Sequence, residues 1–152
     1  MTGPTARLVV DASALLGVVL DPGPRADQVA ELLSTRELHA PALLPFEVAN
    51  VLRRRRLAGH LTAAEAFDAE TALARLPIEL WPHEVVAARV RALGDVLTAY
   101  DASYVALAER LGADLVTYDR RIAGAPGVRC AVVLPREAPA QPPSGSARSG
   151  RI

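Results

Sequence analysis

Three β-prone apolar residues, Leu8-Val9-Val10, run without alternation straight into Asp11, and an apolar helix pattern follows at once. A strand with no polar face must be covered on both sides, the habit of a central strand in a parallel sheet. Sheets of that kind bind ligands beyond the carboxyl ends of their strands, and Asp11 stands at such an end. A capping role at the following helix would account for Asp11 or Ser13 taken singly. The weight placed on Asp11 therefore depends on whether other carboxylates converge on it.

The rest of the chain repeats this alternation. Short apolar runs at 38–40, 78–81, 114–117 and 128–134 read as further strands, and helical patterns fill 14–20, 25–33, 43–57, 62–76, 83–96 and 98–111. The punctuation is clear. Asp21-Pro22-Gly23-Pro24 breaks the first helix, Thr62-Ala63-Ala64-Glu65 is a capping box, and Gly112 stands where a helix C-cap wants glycine. Asp119-Arg120-Arg121-Ile122 reads as a turn off the fourth strand. Strands alternating with one or two helices predict an α/β domain, with a mostly parallel sheet of four to five strands between helical layers. From Pro135 onward Pro, Ala, Ser, Gly and Arg leave almost nothing to bury, so 135–152 is expected to be a disordered tail behind a domain at 1–134.

With 152 residues, 51% of them hydrophobic and only 4% aromatic, one core built from Leu, Val and Ala is expected. The single Cys130 excludes a disulfide framework and a cysteine zinc cluster, and its apolar strand-like surroundings suit a buried, inert thiol. His39, His60 and His83 show no metal-ligand spacing. Seventeen basic residues balance 17 acidic ones, so affinity for nucleic acid must come from local patches. No apolar run is long enough to span a bilayer, and the N-terminus lacks a basic, apolar leader, so a soluble cytoplasmic protein without membrane association is expected.

The acidic residues carry the chemistry. Glu47 falls on a helix beside Leu44, Val48 and Val51, so it points along the apolar stripe toward the sheet. A carboxylate drawn out of water needs a metal, a cation or a raised pKa. Asn50, one turn on, is placed to hydrogen-bond it. Asp101 heads the stripe continued by Tyr104, Val105, Ala108 and Leu111, and it also fits a capping box begun by Thr98. Asp119 follows the fourth strand as Asp11 follows the first, with the Thr117 hydroxyl on the same side. Asp114 begins that strand, and five residues of extended chain put it roughly 16 Å from Asp119 at about 3.3 Å per residue. Only one of the two belongs to a small site, and the parallel with Asp11 selects Asp119. Four acids from four distant segments suit a hard, oxygen-loving cation, Mg²⁺ or Mn²⁺, and hence phosphoryl chemistry.

Four pieces of the chain, Val9-Val10-Asp11-Ala12-Ser13, Pro45-Phe46-Glu47-Val48-Ala49-Asn50, Tyr100-Asp101-Ala102-Ser103-Tyr104 and Leu115-Val116-Thr117-Tyr118-Asp119, together resemble the PIN-domain nucleases. The likeness is to the VapC-type toxins of bacterial toxin–antitoxin pairs, and it spans about 8–134. It implies a three-layer α/β/α fold and a Mg²⁺- or Mn²⁺-dependent endoribonuclease. Asp11, Glu47, Asp101 and Asp119 would be its catalytic and metal-holding acids, with Ser13, Asn50 and Thr117 in support. It further implies an RNA substrate, a homodimer, and a small cognate antitoxin laid across the active-site groove.

Arg53-Arg54-Arg55-Arg56 occupies consecutive helix positions and fans around the axis, which suits a solvated helix end favoured by the dipole. Arg120 and Arg121, next to Asp119, are better placed for RNA phosphate. Two other readings stand beside the nuclease. A different metal-dependent phosphohydrolase with an aspartyl nucleophile would want an acid where Ser13 stands. A catalytically silent binding module would not need four acids. A receiver-like domain is excluded by the absence of any lysine.

Overall fold

The run at Leu8-Val9-Val10 is the centre of the sheet. A computed structural model of the protein describes residues 6–138. Its five strands are β1 (Arg7–Val10), β2 (Glu37–Pro41), β3 (Ile78–Trp81), β4 (Asp114–Val116) and β5 (Val132–Val133). All pair in parallel, in the order β3-β2-β1-β4-β5. Leu8, Val9 and Val10 are all fully buried. Since neighbouring strand residues face opposite sides, helices must cover both faces of β1.

Among the described residues seven helices fill the crossovers: α1 (Ala12–Leu20), α2 (Pro24–Thr35), α3 (Leu44–Leu57), α4 (Ala63–Ala74), α5 (Ala87–Ala92), α6 (Ala99–Leu111) and α7 (Arg120–Ala123). Helix α6 packs on β1, β2 and β4, while α1 is the hub of α2, α3 and α4. Local chemistry sets their ends. Thr62 and Glu65 form the reciprocal capping box that opens α4. Gly112 closes α6 at φ 60°, a left-handed conformation that glycine adopts without steric penalty.

The chain builds β1, β2 and β3 outward, then returns to the other side of β1 for β4 and β5. The order therefore reverses between β1 and β4, and the carboxyl ends of those two strands form the switch point where such sheets hold ligands. Val10 pairs with Val116, so Asp11 and Thr117 leave the sheet at the same level.

Several expectations change. The helix expected over 83–96 is broken into a 3₁₀ turn at His83–Val85 and the short α5, because Val86 departs from helical geometry at φ −121°. Adjacent β-branched Val85 and Val86 resist a continuous helix, and Val86 is buried. The strand expected over 128–134 shrinks to two residues, since the Arg129 N–H leaves the ladder to bond the Glu109 carboxylate at 2.9 Å. Cys130 accordingly lies outside β5 and is half-buried, and burial raises its thiol pKa. The turn expected at Asp119 is capped into α7, with Asp119 accepting from the Arg121 N–H at 2.9 Å. Of the expected tail, Arg136 and Glu137 are held on α2 by Gln28 and Arg25, and 139–152 lie outside the described residues.

Candidate active site

Asp11 occupies the N-cap position of α1, yet its carboxylate makes no cap bond. Its Oδ2 instead accepts from the Thr117 hydroxyl at 2.6 Å and the Ser13 hydroxyl at 2.8 Å. Capping is therefore not what Asp11 does. Ser13 Oγ also accepts from the Tyr118 N–H at 3.0 Å, and Thr117 Oγ1 accepts from the Asp119 N–H at 3.0 Å. This mesh stitches the start of α1 to the end of β4 and fixes the direction in which Asp11 points. Burial raises the Asp11 pKa; the two hydroxyls oppose that shift, and the nearby Asp101 charge adds to it.

Glu47 rises from the first turn of α3 at the edge of a buried row formed by Leu44, Val48 and Leu52. It is half-buried, and its Oε1 is shut off from solvent with no close hydrogen-bond partner among the described residues. Desolvation pushes its pKa up, the neighbouring Tyr104 hydroxyl opposes that shift, and the charges of Asp11 and Asp101 add to it. Asn50 is exposed and shares with Glu47 a groove of about 450 Å³, but forms no hydrogen bond to it. Phe46, Arg54 and Tyr100 line the same groove, with Phe46 78% and Tyr100 64% exposed.

Asp101 sits in the first turn of α6, where its N–H donates to Thr98 Oγ1 at 3.1 Å. Its carboxylate accepts from the Thr98 hydroxyl at 3.0 Å rather than from first-turn backbone N–H groups. Tyr104, one turn on, also belongs to the site, although its position in the apolar row of α6 predicts only a core residue. It is 1% exposed with no partner for its hydroxyl. Burial, then the Glu47 and Asp11 charges, raise its pKa well out of the titrating range. Only its place in the apolar row of α6, one turn after Asp101, could have flagged it.

Asp119 departs most from expectation. Arg121 Nη2 reaches its Oδ2 at 2.6 Å and Nε reaches Oδ1 at 3.0 Å, and this embrace lowers the Asp119 pKa. Asp114, at the opposite end of β4, pairs with Arg36 at 3.3 Å, away from the switch point. Arg120 is exposed at the start of α7, and Arg55 of the arginine run pairs with Asp21 at 3.1 Å.

Asp11, Glu47 and Asp101 thus feel one another's charge, while Asp119 is held by its own arginine. Among the described residues no group of three or more His, Cys, Asp or Glu side chains is gathered tightly enough to hold a metal ion. Asp119 is paired with Arg121, which also lies within reach of the Asp101 charge. The donor set nevertheless fits a hard cation: it is all oxygen, two of its acids are desolvated, and Glu47 Oε1 makes no close hydrogen bond among the described residues, with only the Tyr104 hydroxyl nearby.

The model of the PIN domain family matches residues 8–128. Ribonuclease VapC9 of Mycobacterium tuberculosis is 38% identical over 130 residues, covering 85% of this chain and 99% of that protein. The crystal structure of PAE2754 from Pyrobaculum aerophilum superposes with a TM-score of 0.61 at 26% identity, covering 84% of this chain and 83% of that one. A chain of a toxin–antitoxin complex from Klebsiella pneumoniae has the same fold, with a TM-score of 0.58 at 20% identity, covering 86% of this chain and 99% of that one.

Proposed function

This chain belongs to the PIN-domain family, and from that premise we propose that it is a VapC-type toxin, a metal-dependent endoribonuclease. The observation that carries the reading is the desolvated pair Asp11 and Glu47 beside the β1/β4 switch point, each raised in pKa and Glu47 with an unpartnered oxygen. An unpaired buried carboxylate destabilises a fold unless a ligand uses it. Asp11, Glu47, Asp101 and Asp119 would hold Mg²⁺ or Mn²⁺. When bound, such a cation supplies Lewis acidity toward a phosphodiester and the water that attacks it.

The residues of this chain do the positioning. Ser13 and Thr117 orient Asp11 through its Oδ2. Tyr104 keeps its proton beside Glu47 and Asp11, so it serves there as a neutral donor rather than a further charge. Asn50 lines the groove beside Glu47, where it would meet a bound strand. Asp119 enters the set when Arg121 lets go of it, and Arg120 and Arg121 then face the phosphates of the strand. Hydrolysis adds water across one P–O bond, leaving a phosphate monoester on one product and a hydroxyl on the other. We further assign the nuclease unit to 1–134, a homodimeric assembly, and a cognate antitoxin that covers the groove beside Glu47. No helix among the described residues is long and apolar enough to cross a membrane.

The test is cleavage of a labelled single-stranded RNA by the purified full chain, with Mg²⁺ or Mn²⁺ and then with excess EDTA. Metal-dependent cutting that disappears in Asp11→Asn is expected. RNA bound but left uncut by the wild type in either metal, or cut equally well in EDTA, overturns the reading.

A further inference from the structure

Tyr118 and Arg120, on either side of Asp119 in the chain, line a cavity of about 830 Å³ that none of the four acids enters, within the range of small-ligand pockets. Tyr118 joins the two regions, because its N–H is bonded to Ser13, which in turn holds Asp11. Its ring rests on Gly17, where any Cβ would collide with Tyr118 Cε2. The Arg25 guanidinium lies 4.0 Å from the ring centroid. Arg25 Nε and the Tyr118 hydroxyl are both buried without a hydrogen-bond partner among the described residues. Arg120 and Arg136 add two more guanidinium groups to the lining, against one carboxylate, that of Glu137. The cavity is basic in a chain whose formal net charge is zero.

Glu137 defines how the cavity is occupied. Arg25 Nη1 donates to its Oε1 at 3.3 Å, and the Glu137 side chain is 80% exposed. A carboxylate so exposed holds a guanidinium weakly and yields to a better oxyanion. The Arg136 segment that carries it is pinned to α2: Gln28 Nε2 donates to the Arg136 carbonyl at 2.7 Å, and Gln28 Oε1 accepts from its N–H at 3.1 Å. Glu137 can therefore swing off Arg25 without the wall coming apart.

We propose that this cavity is a nucleotide subsite for the single-stranded RNA that flanks the cleaved bond. A phosphate lies between Arg25 and Arg120 in the place Glu137 holds, and a base stacks on the guanidinium plane that Tyr118 supports. Planar guanidinium suits both contacts, and the link through Tyr118 to Ser13 keeps the subsite in register with Asp11. The inference rests on the RNA-cleaving function proposed above.

The test uses the full chain carrying Asp11→Asn, so that RNA stays intact, and fluorescence anisotropy of a labelled single-stranded oligonucleotide across a salt series. Arg120→Gln is expected to weaken binding about fivefold and to flatten the salt slope by about 0.7, one phosphate contact of a single strand. Glu137→Gln is expected to do the opposite, tightening binding by removing the competitor for Arg25. Both residues are exposed, and unchanged thermal midpoints will separate these effects from misfolding. If the parent binds RNA and neither variant changes affinity or slope, the subsite is wrong and the nuclease reading stands. If the parent binds no RNA at any salt, the nuclease reading falls and takes the subsite with it. If Arg120→Gln spares RNA but weakens binding of a polyglutamate peptide, the cavity receives an acidic protein segment and the inference is overturned.

Discussion

Thr117 and Asp11, 106 residues apart in the chain, are joined by a 2.6 Å hydrogen bond across the carboxyl ends of β1 and β4. The bond is short because the acceptor is a carboxylate in a site shielded from water. Thr117 is fully buried, and its oxygen also accepts from the Asp119 N–H, so one hydroxyl sets the positions of two acids. The pairing follows from topology. Val10 and Val116 are partners in the parallel ladder, and the next residue on each strand must meet its counterpart.

Thr117→Val keeps the shape and deletes the hydroxyl. Asp11 loses a donor and the Asp119 N–H an acceptor, so a loss of about 1–3 kcal/mol is expected in denaturant unfolding. RNA cleavage should fall further than stability alone explains, and Thr117→Ser should restore much of both. A Val variant that cuts at the wild-type rate would show that Asp11 needs no orientation.

Glu47→Gln acts in the opposite direction on stability. The Glu47 pKa is raised by burial above its ordinary 4.5, so the folded protein binds this proton more tightly than the unfolded chain. Its stabilising contribution is complete below pH 4.5 and is lost as pH rises through the folded value. In EDTA the Gln variant should match wild type in acid and exceed it at neutral pH by about 1 kcal/mol, roughly 3 °C in Tm. Cleavage should collapse. Thermal melts in EDTA at several pH values, set beside RNA cleavage with metal, test both halves.

How far these residues could be read from the sequence depends on how local their reasons are. Strands β1 to β4 were legible because each is an apolar run closed by a turn or an acid, and the four acidic positions stood out against apolar stripes. The shortness of β5 was not, since it depends on Glu109 taking the Arg129 N–H from 20 residues away. Arg121 was visible beside Asp119, but adjacency alone does not distinguish an internal ion pair from a phosphate ligand. Tyr104 was hidden by its own periodicity: a buried stripe predicts a buried ring, and the surroundings of its hydroxyl emerge only when α6 meets Asp11 and Glu47.

Asp119 and Asp114 separate the two ends of β4. Asp119→Asn should weaken metal binding and cleavage and relieve growth arrest by the unpartnered protein, whereas Asp114→Asn should touch only its pair with Arg36. Arg121→Ala frees the Asp119 carboxylate, so the Asp119 pKa should rise toward its ordinary 3.8, readable by NMR titration. Metal affinity should rise with it, because the cation then competes with no arginine. Loss of cleavage in Asp114→Asn with retention in Asp119→Asn would reverse the assignment.

Acid should unfold the protein partly through Glu109. Burial alone would raise its carboxyl pKa, but Arg89 donates to it at 2.6 and 3.1 Å and the Arg129 N–H at 2.9 Å, and the balance falls below the ordinary 4.5. A carboxylate with a depressed folded pKa stabilises above the unfolded value, and that stability is lost as pH falls through the folded one. Glu109→Gln should therefore lower Tm at neutral pH and make it less sensitive to acid between about pH 5 and pH 3. Parallel Tm–pH curves for the two proteins would mean that the pair carries no linkage.

Gly17→Ala tests whether the Tyr118 ring is held from beneath. A Cβ at residue 17 would collide with Tyr118 Cε2 and stand 2.6 Å from its hydroxyl oxygen, so the ring must move. Gly17 is buried within α1, where alanine is otherwise the better helix former by about 1 kcal/mol. Propensity and packing thus pull in opposite directions, and displacing a ring stacked under Arg25 with its hydroxyl buried outweighs propensity, for a net cost of about 1–3 kcal/mol. The displaced ring drags on its own N–H bond to Ser13 and on the Arg25 stack, so RNA affinity should drop along with stability. Gly17→Ala combined with Tyr118→Leu removes the clash and should recover stability without recovering the stack. A single Gly17→Ala variant more stable than wild type would place the Tyr118 ring elsewhere.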